Sequence, residues 1–300
     1  MKRYVVTGAA GFIGSHLVEA LLARGDEVDA VDWFTDYYDP QRKEENAAAF
    51  DVRRVDLAED PLTLDGVDGV FHLAAQPGVR ASFEHFDVYL RRNLLATQRV
   101  LDAVAAANVR LVFASSSSVY GDAPDYPTRE EAKLEPISPY GITKLAGEQL
   151  VRSYPADAVI LRYFTVYGPR QRPDMGFSRL IDCLLEDREF ELYGDPSRSF
   201  TFVGDIVDAT IVAMERGAAG AVYNVGGGEE ATLREAIATL ERVSGRTTRV
   251  RQGERARGDA RRTAADVTRI RDELGWSPRT SLEQGLRAQW SWAEDRVAAR

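Results

Sequence analysis

Cysteine and histidine are scarce in this chain. Its 300 residues include one cysteine, Cys183, so an internal disulfide is excluded. The helical apolar pattern around Cys183 favours a buried thiol over a nucleophile. The histidines His16, His72 and His85 are scattered and belong to no recognisable ligand cluster. We therefore expect no metal site.

Apolar runs long enough to span a membrane are also lacking. The apolar stretches are short and interrupted by charge, and residues 1–3 lead directly into a strand pattern without a signal-peptide apolar region. The formal net charge of -9 argues against a general nucleic-acid binder, although a local basic pocket can still hold a small anion. We expect a cytoplasmic protein with neither membrane nor nucleic acid as partner.

Strand-like runs alternate with helical patterns through the first half of the chain. This alternation predicts an α/β fold with a Rossmann-like, doubly wound parallel sheet. A hydrophobic content of 44% in 300 residues is enough for a large core. The predicted strands are residues 28–32, 52–56, 70–74, 111–115 and 159–162.

The pattern changes after Val166, where glycine and proline interrupt shorter elements. Residues 1–165 are predicted to form the sheet domain, and residues 166–300 mainly a smaller C-terminal substrate domain. The segment of about 200–225 is predicted to return to the first domain, so that the two interleave. Residues 251–262, rich in arginine and glycine, form either a solvated loop or a diphosphate contact.

A strand pattern, a glycine turn and a helical pattern follow one another at the N-terminus. Gly8, Gly11 and Gly14 have the spacing G-x-x-G-x-x-G. Glycines let the backbone turn tightly and approach a pyrophosphate, whose charge is attracted by the N–H groups of the helix N-terminus. Because this spacing departs from G-x-G-x-x-G, an ordinary glycine turn is the alternative.

The next apolar run, residues 28–31, ends at Asp32. A carboxylate in this position would accept hydrogen bonds from an adenosine ribose and repel a 2'-phosphate. The sequence therefore favours NAD over NADP as the dinucleotide.

Tyr140 and Lys144 form the pair with the clearest chemical meaning. Ser138 can cap a helix and Pro139 suits its first turn, so the two side chains would project from one face. A nearby cation favours the phenolate form of tyrosine, whose ordinary pKa is about 10. Following the serine run 115–118, the pair is interpreted as a proton-transfer site. The alternative is a tyrosine and a lysine that merely share the face of a surface helix.

Two long helical patterns have apolar stripes that predict a homodimer. One covers about residues 88–107, and the other carries Tyr140 and ends at about Ser153. Packing of these stripes on the sheet is an equally good interpretation.

Five motifs occur in an order that resembles a known family. They are residues 7–14 (TGAAGFIG), 72–75 (HLAA), 115–121 (SSSSVYG), 140–144 (Y-x-x-x-K) and 162–169 (RYFTVYGP). Over nearly its whole length the chain is similar to the extended short-chain dehydrogenases that act on nucleotide sugars. The resemblance implies a triad in which Tyr140 is the base, Ser116 assists, and Lys144 orients the ribose and lowers the tyrosine pKa. It also implies that NAD stays bound through turnover.

The same resemblance implies two sets of binding residues. NAD is expected to contact Gly8, Gly11, Phe12, Ile13, Gly14, Asp32, Asp56, Leu57, Leu73, Ala74, Ala75, Asn93, Tyr140, Lys144, Phe164 and Val166. A UDP-sugar is expected to contact Arg80, Ser116, Ser117, Ser118, Thr165, Arg172, Tyr193, Arg198 and Arg257.

The choice of reaction within this family depends on the residues after Ser116. Nucleotide-sugar 4,6-dehydratases carry an Asp-Glu pair at the positions of Ser117 and Ser118, and UDP-glucuronate decarboxylases carry a glutamate at the second position. Eliminating water after oxidation at C4 requires a base at C5 and an acid at the leaving oxygen, and serines are poor substitutes for both. The sequence therefore favours 4-epimerisation, by oxidation, rotation of the 4-keto sugar and reduction.

The segment 167–175 looks most like that of UDP-glucuronate 4-epimerases, as do residues 36–40 and 76–80. A guanidinium fork such as that of Arg172 can hold a C6 carboxylate through two charge-assisted hydrogen bonds. We expect this clamp to suppress decarboxylation of the 4-keto acid. The alternatives are an exposed loop arginine and the neighbouring Arg170, which has the same capability. Pro77 and Gly204 depart from the nearest pattern and put the fine substrate preference in doubt.

The nucleotide end of the substrate is assigned by the same resemblance. Arg198 falls where related epimerases hold the diphosphate, and Tyr193 where they line the uracil pocket. Arg255 or Arg257 is expected to supply a second phosphate contact.

Three functions follow from these observations. The leading one is a UDP-glucuronate 4-epimerase; the second is a UDP-glucose/UDP-galactose 4-epimerase or a UDP-glucuronate decarboxylase. The third is a non-catalytic dinucleotide sensor, against which the intact Ser116, Tyr140 and Lys144 argue.

Overall fold

The computed structural model describes residues 1–254 and 257–298, which form an α/β fold. The strands are β1 (Arg3–Thr7), β2 (Glu27–Asp32), β3 (Arg53–Arg54), β4 (Gly69–His72), β5 (Arg110–Ser116), β6 (Ala158–Tyr163), β7 (Thr165–Tyr167), β8 (Phe190–Tyr193), β9 (Ser197–Phe202), β10 (Val222–Val225), β11 (Glu229–Thr232), β12 (Val250–Gly253) and β13 (Arg262–Thr263). The α-helices are α1 (Phe12–Ala23), α2 (Pro40–Asn46), α3 (Phe86–Tyr89), α4 (Ala96–Ala107), α5 (Pro139–Ser153), α6 (Gly176–Leu185), α7 (Val203–Arg216), α8 (Leu233–Ser244), α9 (Thr268–Leu274) and α10 (Leu282–Ala298).

The large sheet of the described residues has seven strands in the order β10-β6-β5-β4-β1-β2-β3, and each pair is parallel. Successive side chains of a strand point to opposite faces, so a sheet that is covered on both sides has two cores. Val6 of β1 packs with Leu17 of α1 and Ile206 of α7 on one face. Val5 packs with Val100 of α4 on the other. The predicted doubly wound sheet is therefore confirmed.

The predicted strand 52–56 is shorter in the structure. Only Arg53 and Arg54 pair, with Val31 and Asp32 of β2. Both arginines are exposed at the edge of the sheet. An edge strand forms backbone hydrogen bonds with a neighbour on one side only, so fewer of these bonds are available to lengthen it.

The helix predicted for residues 88–107 is helical throughout, but its hydrogen bonding changes along its length. α3 leads into a π-helical segment, Leu90–Leu95, and then into α4, which ends at Asn108 in the left-handed conformation. π-Helical turns often occur at functional sites. Here the turn carries Asn93, whose side chain accepts a hydrogen bond from the backbone N–H of Gln76 at 2.6 Å.

The remaining strands form smaller sheets with a core of their own. β9 lies between β11 and β13 and also pairs with β7, while β12 pairs with β8. Tyr167, Phe200 and Trp290 are buried in this core together with Cys183. Burial raises the pKa of the Cys183 thiol, as expected for a core cysteine.

The chain returns to the large sheet after passing through this smaller core. β10 pairs with β6, and α7 packs against β5 and β6. The division into residues 1–165 and 166–300 stays a prediction. No helix within residues 1–254 and 257–298 combines the length and the apolar character that crossing a membrane requires.

Candidate active site

The glycine turn closes so tightly that its glycine positions leave no space for a side chain. Gly8 has φ +72°, and the N–H of Gly11 donates to its carbonyl at 3.0 Å. A Cβ at Gly14 would lie 2.1 Å from the carbonyl oxygen of Gly8, which is backbone and cannot swing away. The turn therefore brings bare backbone and the start of α1 to the edge of a cavity.

This cavity runs along the carboxyl ends of the central strands, where a parallel α/β sheet commonly binds its ligand. Thirteen of the sixteen residues expected to contact NAD line it, counted among the residues that the structure describes. They are Gly8, Gly11, Phe12, Ile13, Gly14, Asp32, Asp56, Leu57, Leu73, Ala74, Ala75, Tyr140 and Lys144. Arg172 lines the same cavity.

The other three expected NAD contacts are not among the residues that line the cavity. Phe164 and Val166 are buried, with 4% and 5% of their surface exposed. Asn93 is also buried, and its amide donates to the carbonyl of Gln76 at 3.1 Å and to Thr143 Oγ1 at 3.0 Å. Because Gln76 itself lines the cavity, Asn93 holds part of the wall in place.

Asp32 has a partner that sequence reasoning missed. Its carboxylate accepts from the backbone N–H groups of Ala10, at 3.2 Å, and Phe34, at 2.7 Å. It also accepts from Lys43 Nζ at 3.0 Å, and both charged side chains are buried at the cavity. The available signal was Asp39-Pro40, a helix start that places Lys43 within α2.

α5 has the start that the sequence predicted. The N–H of Gly141 donates to the Ser138 hydroxyl at 3.1 Å, and Pro139 occupies the first turn. Tyr140 and Lys144 consequently lie one turn apart and both line the cavity. Lys144 is buried, and its ammonium donates to the carbonyl of Ala114 at 2.9 Å.

The electrostatics of this pair differ from the sequence interpretation. Burial raises the pKa of Tyr140, while a hydrogen bond with Ser116 and the charge of Arg172 act in the opposite direction. Burial lowers the pKa of Lys144 to about 8, against the attraction of the Glu148 carboxylate. Arg172, which lies far from Tyr140 in sequence, is thus a cation that lowers the pKa of the phenol. Lys144 Nζ lies 6.0 Å from the centre of the Tyr140 ring.

A buried ion pair behind the cavity was also missed. Glu148 and Arg162 form two parallel hydrogen bonds, of 2.9 and 2.7 Å. Glu148 further accepts from Ser115 Oγ at 2.5 Å, which joins α5 to the ends of β5 and β6. Such a pair needs every remaining lone pair and proton satisfied. Arg162 meets this requirement by donating to the Tyr120 hydroxyl and the Glu130 carbonyl.

The serine run ends β5 and turns into a short 3-10 helix, Ser117–Val119. Ser116 Oγ donates to Ser118 Oγ and accepts from the Ser118 N–H, each at 3.1 Å. Thr165 begins β7. None of Ser116, Ser117, Ser118 and Thr165 is among the residues that line the cavity, so their substrate contacts stay predictions.

The two candidate carboxylate-binding arginines have different surroundings. Arg172 uses Nε and Nη2 to bind both oxygens of Asp174, each at 3.0 Å. Tyr37 also donates to Asp174, at 3.3 Å. Arg170 instead binds Glu19 of α1 at 2.7 Å and does not line the cavity. The structure therefore favours Arg172 over Arg170 as the group that faces a ligand.

The residues assigned to the nucleotide lie outside this cavity, and each has a partner within the protein. The guanidinium of Arg80 stacks 4.0 Å from the centre of the Tyr193 ring, and that of Arg257 lies 4.3 Å from the Phe83 ring. Arg198 donates to Asp259 at 2.9 Å and to the carbonyl of Ala260 at 2.7 Å. Their roles stay predictions. Arg255 lies outside the described residues.

The NAD dependent epimerase/dehydratase family matches residues 4–226, most of the chain. The chain belongs to this family. The expected resemblance and the expected NAD cofactor are thus confirmed. The residues present fit the dinucleotide, because Gly8 and Gly14 leave no space for a Cβ at the turn and Asp32, which ends β2, lines the same cavity.

Members of the family are similar to this chain over nearly its full length. A UDP-glucuronate 4-epimerase of Thermodesulfobacterium geofontis is 34% identical over 99% of this chain and 98% of its own. YtcB of Bacillus subtilis, described as an uncharacterized UDP-glucose epimerase, is 40% identical over 95% of both chains. The crystal structure of UDP-glucuronic acid 4-epimerase from Bacillus cereus, in complex with UDP-glucuronic acid and NAD, superposes with a TM-score of 0.94. It is 38% identical and covers 98% of this chain and 99% of its own.

Within the described part of the chain, no three histidine, cysteine, aspartate or glutamate side chains are grouped so that they can hold a metal ion. The titratable residues that line the cavity are Asp32, Tyr37, Tyr38, Lys43, Asp56, Arg92, Tyr140, Lys144, Tyr163 and Arg172.

Proposed function

We propose that this protein is an NAD-dependent isomerase that interconverts UDP-glucuronate and UDP-galacturonate at C4 of the sugar. The observation that carries the proposal is one cavity lined at one end by the glycine turn and elsewhere by both Tyr140 and Arg172. A general base and a carboxylate-binding cation thus face the same space as the cofactor site. The relatives named UDP-glucuronate 4-epimerase support this choice of substrate.

The residues around C4 supply proton transfer and orientation. Tyr140 accepts the proton of the 4-hydroxyl in its phenolate form, which burial disfavours and which Ser116 and Arg172 favour. It later returns this proton to the alkoxide that forms on reduction. The roles proposed for Ser116 and Lys144 are supported by a hydrogen bond of Ser116 that lowers the pKa of the phenol and by the position of Lys144 Nζ, 6.0 Å from the centre of the Tyr140 ring. The glycine turn and Asp32 would hold NAD, which would supply a hydride acceptor at C4 of the sugar and then a hydride donor for the opposite face of the 4-keto sugar. The net change is inversion at C4, with no net redox change.

The carboxylate at C6 makes a side reaction possible, the loss of carbon dioxide from the oxidised sugar. Oxidation at C4 gives a β-keto acid, which loses carbon dioxide when the carboxylate aligns with the carbonyl π system. A planar guanidinium fixes a carboxylate through two hydrogen bonds, and so restricts its rotation. We assign this restraint to Arg172.

Dehydration is disfavoured by the same site. After Ser116 the chain offers the hydroxyls of Ser117 and Ser118, which are held in a tight 3-10 turn. Hydroxyl groups with ordinary pKa values are weak general acids and bases at neutral pH. The keto sugar therefore has no strong base at C5 from this segment.

Product analysis with UDP-glucuronate and with UDP-glucose tests the proposal. We expect the native protein to convert UDP-glucuronate to its C4 epimer with little pentose product. Arg172→Ala should lower kcat/KM for UDP-glucuronate by about tenfold to hundredfold and raise the pentose fraction. Arg170→Ala is the matched control and should leave the product ratio unchanged. Conversion of the neutral sugar alone would refute the assignment.

A second function, 4-epimerisation of UDP-glucose and UDP-galactose, is supported by one specific observation. Arg172 already has a carboxylate partner, Asp174, so its charge is balanced without an acidic substrate. The similarity to YtcB agrees with this alternative. The comparison of the two substrates separates the two functions directly.

We also propose a homodimer formed through α4 and α5. A shallow apolar groove is lined by Leu90, Leu94, Leu95, Gln98, Ala146, Gln149 and Leu150. Leu90 and Leu95 are exposed by 42% and 39%. A second copy that packs the same helices against them would bury this face symmetrically. Sedimentation of the double variant Leu90→Glu/Leu95→Glu should show a monomer.

We also propose that the protein is cytoplasmic.

A further inference from the structure

Three segments that are far apart in sequence meet beside Arg172. Tyr37 follows β2, Gly78 follows β4, and Asp174 precedes α6. Tyr37 lines the cavity, and its hydroxyl donates to Asp174 at 3.3 Å. Asp174 in turn binds Arg172 through two hydrogen bonds. These contacts form a chain from Tyr37 through Asp174 to the guanidinium.

Asp174 occupies one of the two edges through which the Arg172 guanidinium can bind a carboxylate. Asp174 takes the edge formed by Nε and Nη2, at 3.0 Å for each bond. Nη1 and the second N–H group of Nη2 form the other edge, which does not take part in these two bonds. Arg172 lines the cavity, whereas Asp174 does not. Asp174 therefore holds the guanidinium from outside and leaves a second fork for a ligand.

Gly78 allows Tyr37 to take this position. A Cβ at residue 78 would lie 2.1 Å from the Tyr37 hydroxyl, and Gly78 has φ +96°, which L side chains rarely adopt. The hydroxyl of Tyr89 lies 2.7 Å from the carbonyl oxygen of Pro77 and 2.6 Å from that of Gly78. This contact fixes the loop against which Tyr37 packs.

We propose that Asp174 and Tyr37 are positioning residues that set the preference for a sugar carboxylate over a neutral hydroxymethyl group. The inference rests on the proposed function, because it assumes that Arg172 faces C6 of the sugar. A carboxylate gains two charge-assisted bonds only when the fork is held in its plane. A hydroxymethyl group can make one bond and tolerates a rotated guanidinium. Loss of Asp174 therefore weakens binding of the acid selectively.

The test measures binding without turnover. Dissociation constants for UDP-glucuronate and UDP-glucose are determined by calorimetry on NAD-loaded protein that carries Tyr140→Phe. Adding Asp174→Asn should reduce the preference for the acid by about tenfold, with the UDP-glucose constant unchanged within about twofold. Tyr37→Phe, a milder change, should reduce the preference by about threefold. Asp174→Glu, which keeps the charge, should restore part of it.

A matched control uses another bidentate pair. Asp29 binds Arg53 at 3.3 and 2.7 Å at the edge of the large sheet, away from the cavity. Asp29→Asn should leave the preference unchanged. A double change of Arg172→Ala with Asp174→Asn should bind UDP-glucuronate no more weakly than Arg172→Ala alone, because Asp174 acts through Arg172.

Three results would overturn the inference. Tighter binding of UDP-glucuronate by Asp174→Asn would mean that Asp174 competes with the substrate carboxylate. Equal weakening for both sugars would mean a purely structural role. Additive losses in the double change would mean that Asp174 acts independently of Arg172. Failure of the proposed function is read separately, as the absence of the C4 epimer when the native enzyme is given UDP-glucuronate.

Discussion

The ammonium of Lys144 donates a hydrogen bond to the carbonyl oxygen of Ala114, 2.9 Å away, and both residues line the cavity beside Tyr140. Burial lowers the pKa of Lys144 to about 8, from 10.5. Between these values the unfolded chain binds a proton that the folded protein does not, so the free energy of unfolding rises with pH. The folded protein bears the cost of the buried charge below about pH 8.

Lys144→Met should remove this dependence. Without ligand, the native protein should gain up to about 3 kcal/mol relative to the variant between pH 8 and 10.5. Denaturant unfolding at several pH values measures the difference in the free energy of unfolding between the two proteins. The tyrosines titrate in both proteins, so their contribution cancels in this difference. A constant difference across this range would show that Lys144 keeps an ordinary pKa in the fold.

Tyr140→Phe should abolish proton transfer while leaving the cofactor in place. We expect kcat to fall by about a thousandfold, because general-base catalysis contributes factors of this order. NAD released on denaturation should remain at the native amount per chain. Tyr154→Phe is the control, since that hydroxyl binds Asp102 at 2.7 Å in an exposed position. Substantial turnover by Tyr140→Phe would remove this residue as the base.

His72 should make the protein sensitive to acid. Its imidazole is buried, with Nδ1 2.7 Å from Thr7 Oγ1 and Nε2 3.0 Å from Thr97 Oγ1. Burial, with a smaller contribution from Lys144, lowers its pKa to about 3. Between pH 6.5 and 3 the unfolded chain binds the extra proton, so the free energy of unfolding falls as the pH falls.

The measurement compares the native protein with His72→Gln. The native protein should lose up to about 4 kcal/mol more than the variant between pH 6.5 and 3, as followed by urea unfolding. His85→Gln, at an exposed position, should behave like the native protein. Parallel pH profiles for the native protein and His72→Gln would contradict the prediction.

Gly14→Ala should damage both stability and cofactor binding. The added Cβ would lie 2.1 Å from the carbonyl oxygen of Gly8, so the turn must open. We expect a loss of about 2 kcal/mol in the free energy of unfolding and a large drop in bound NAD. Gly176→Ala is the control, because its Cβ would meet nothing within 4 Å. Equal NAD content in the two variants would argue that the turn tolerates a side chain.

The sequence was sufficient where function depends on local spacing. The cap at Ser138 and the four-residue interval from Tyr140 to Lys144 fix two side chains on one face of a helix, and the structure has both. The glycine turn is likewise a local feature of the strand–helix junction. Such patterns are set by backbone geometry within one or two turns.

Side-chain contacts between residues that are far apart in sequence could not be predicted from the sequence. Arg172 meets Tyr37, and Glu148 meets Arg162, only because the strand order brings their segments together. The direction of the Tyr140 pKa shift was missed for the same reason. Burial depends on what packs around the ring, whereas the pattern showed only its neighbours along the helix.

The position of β10 has a consequence for fragments of this enzyme. β10 completes one edge of the large sheet, although it follows the strands of the smaller sheets along the chain. A polypeptide truncated at residue 165 would retain every motif of the catalytic triad. It would nevertheless expose the hydrogen-bonding groups of β6 and the apolar surface under α7, and we expect it to aggregate.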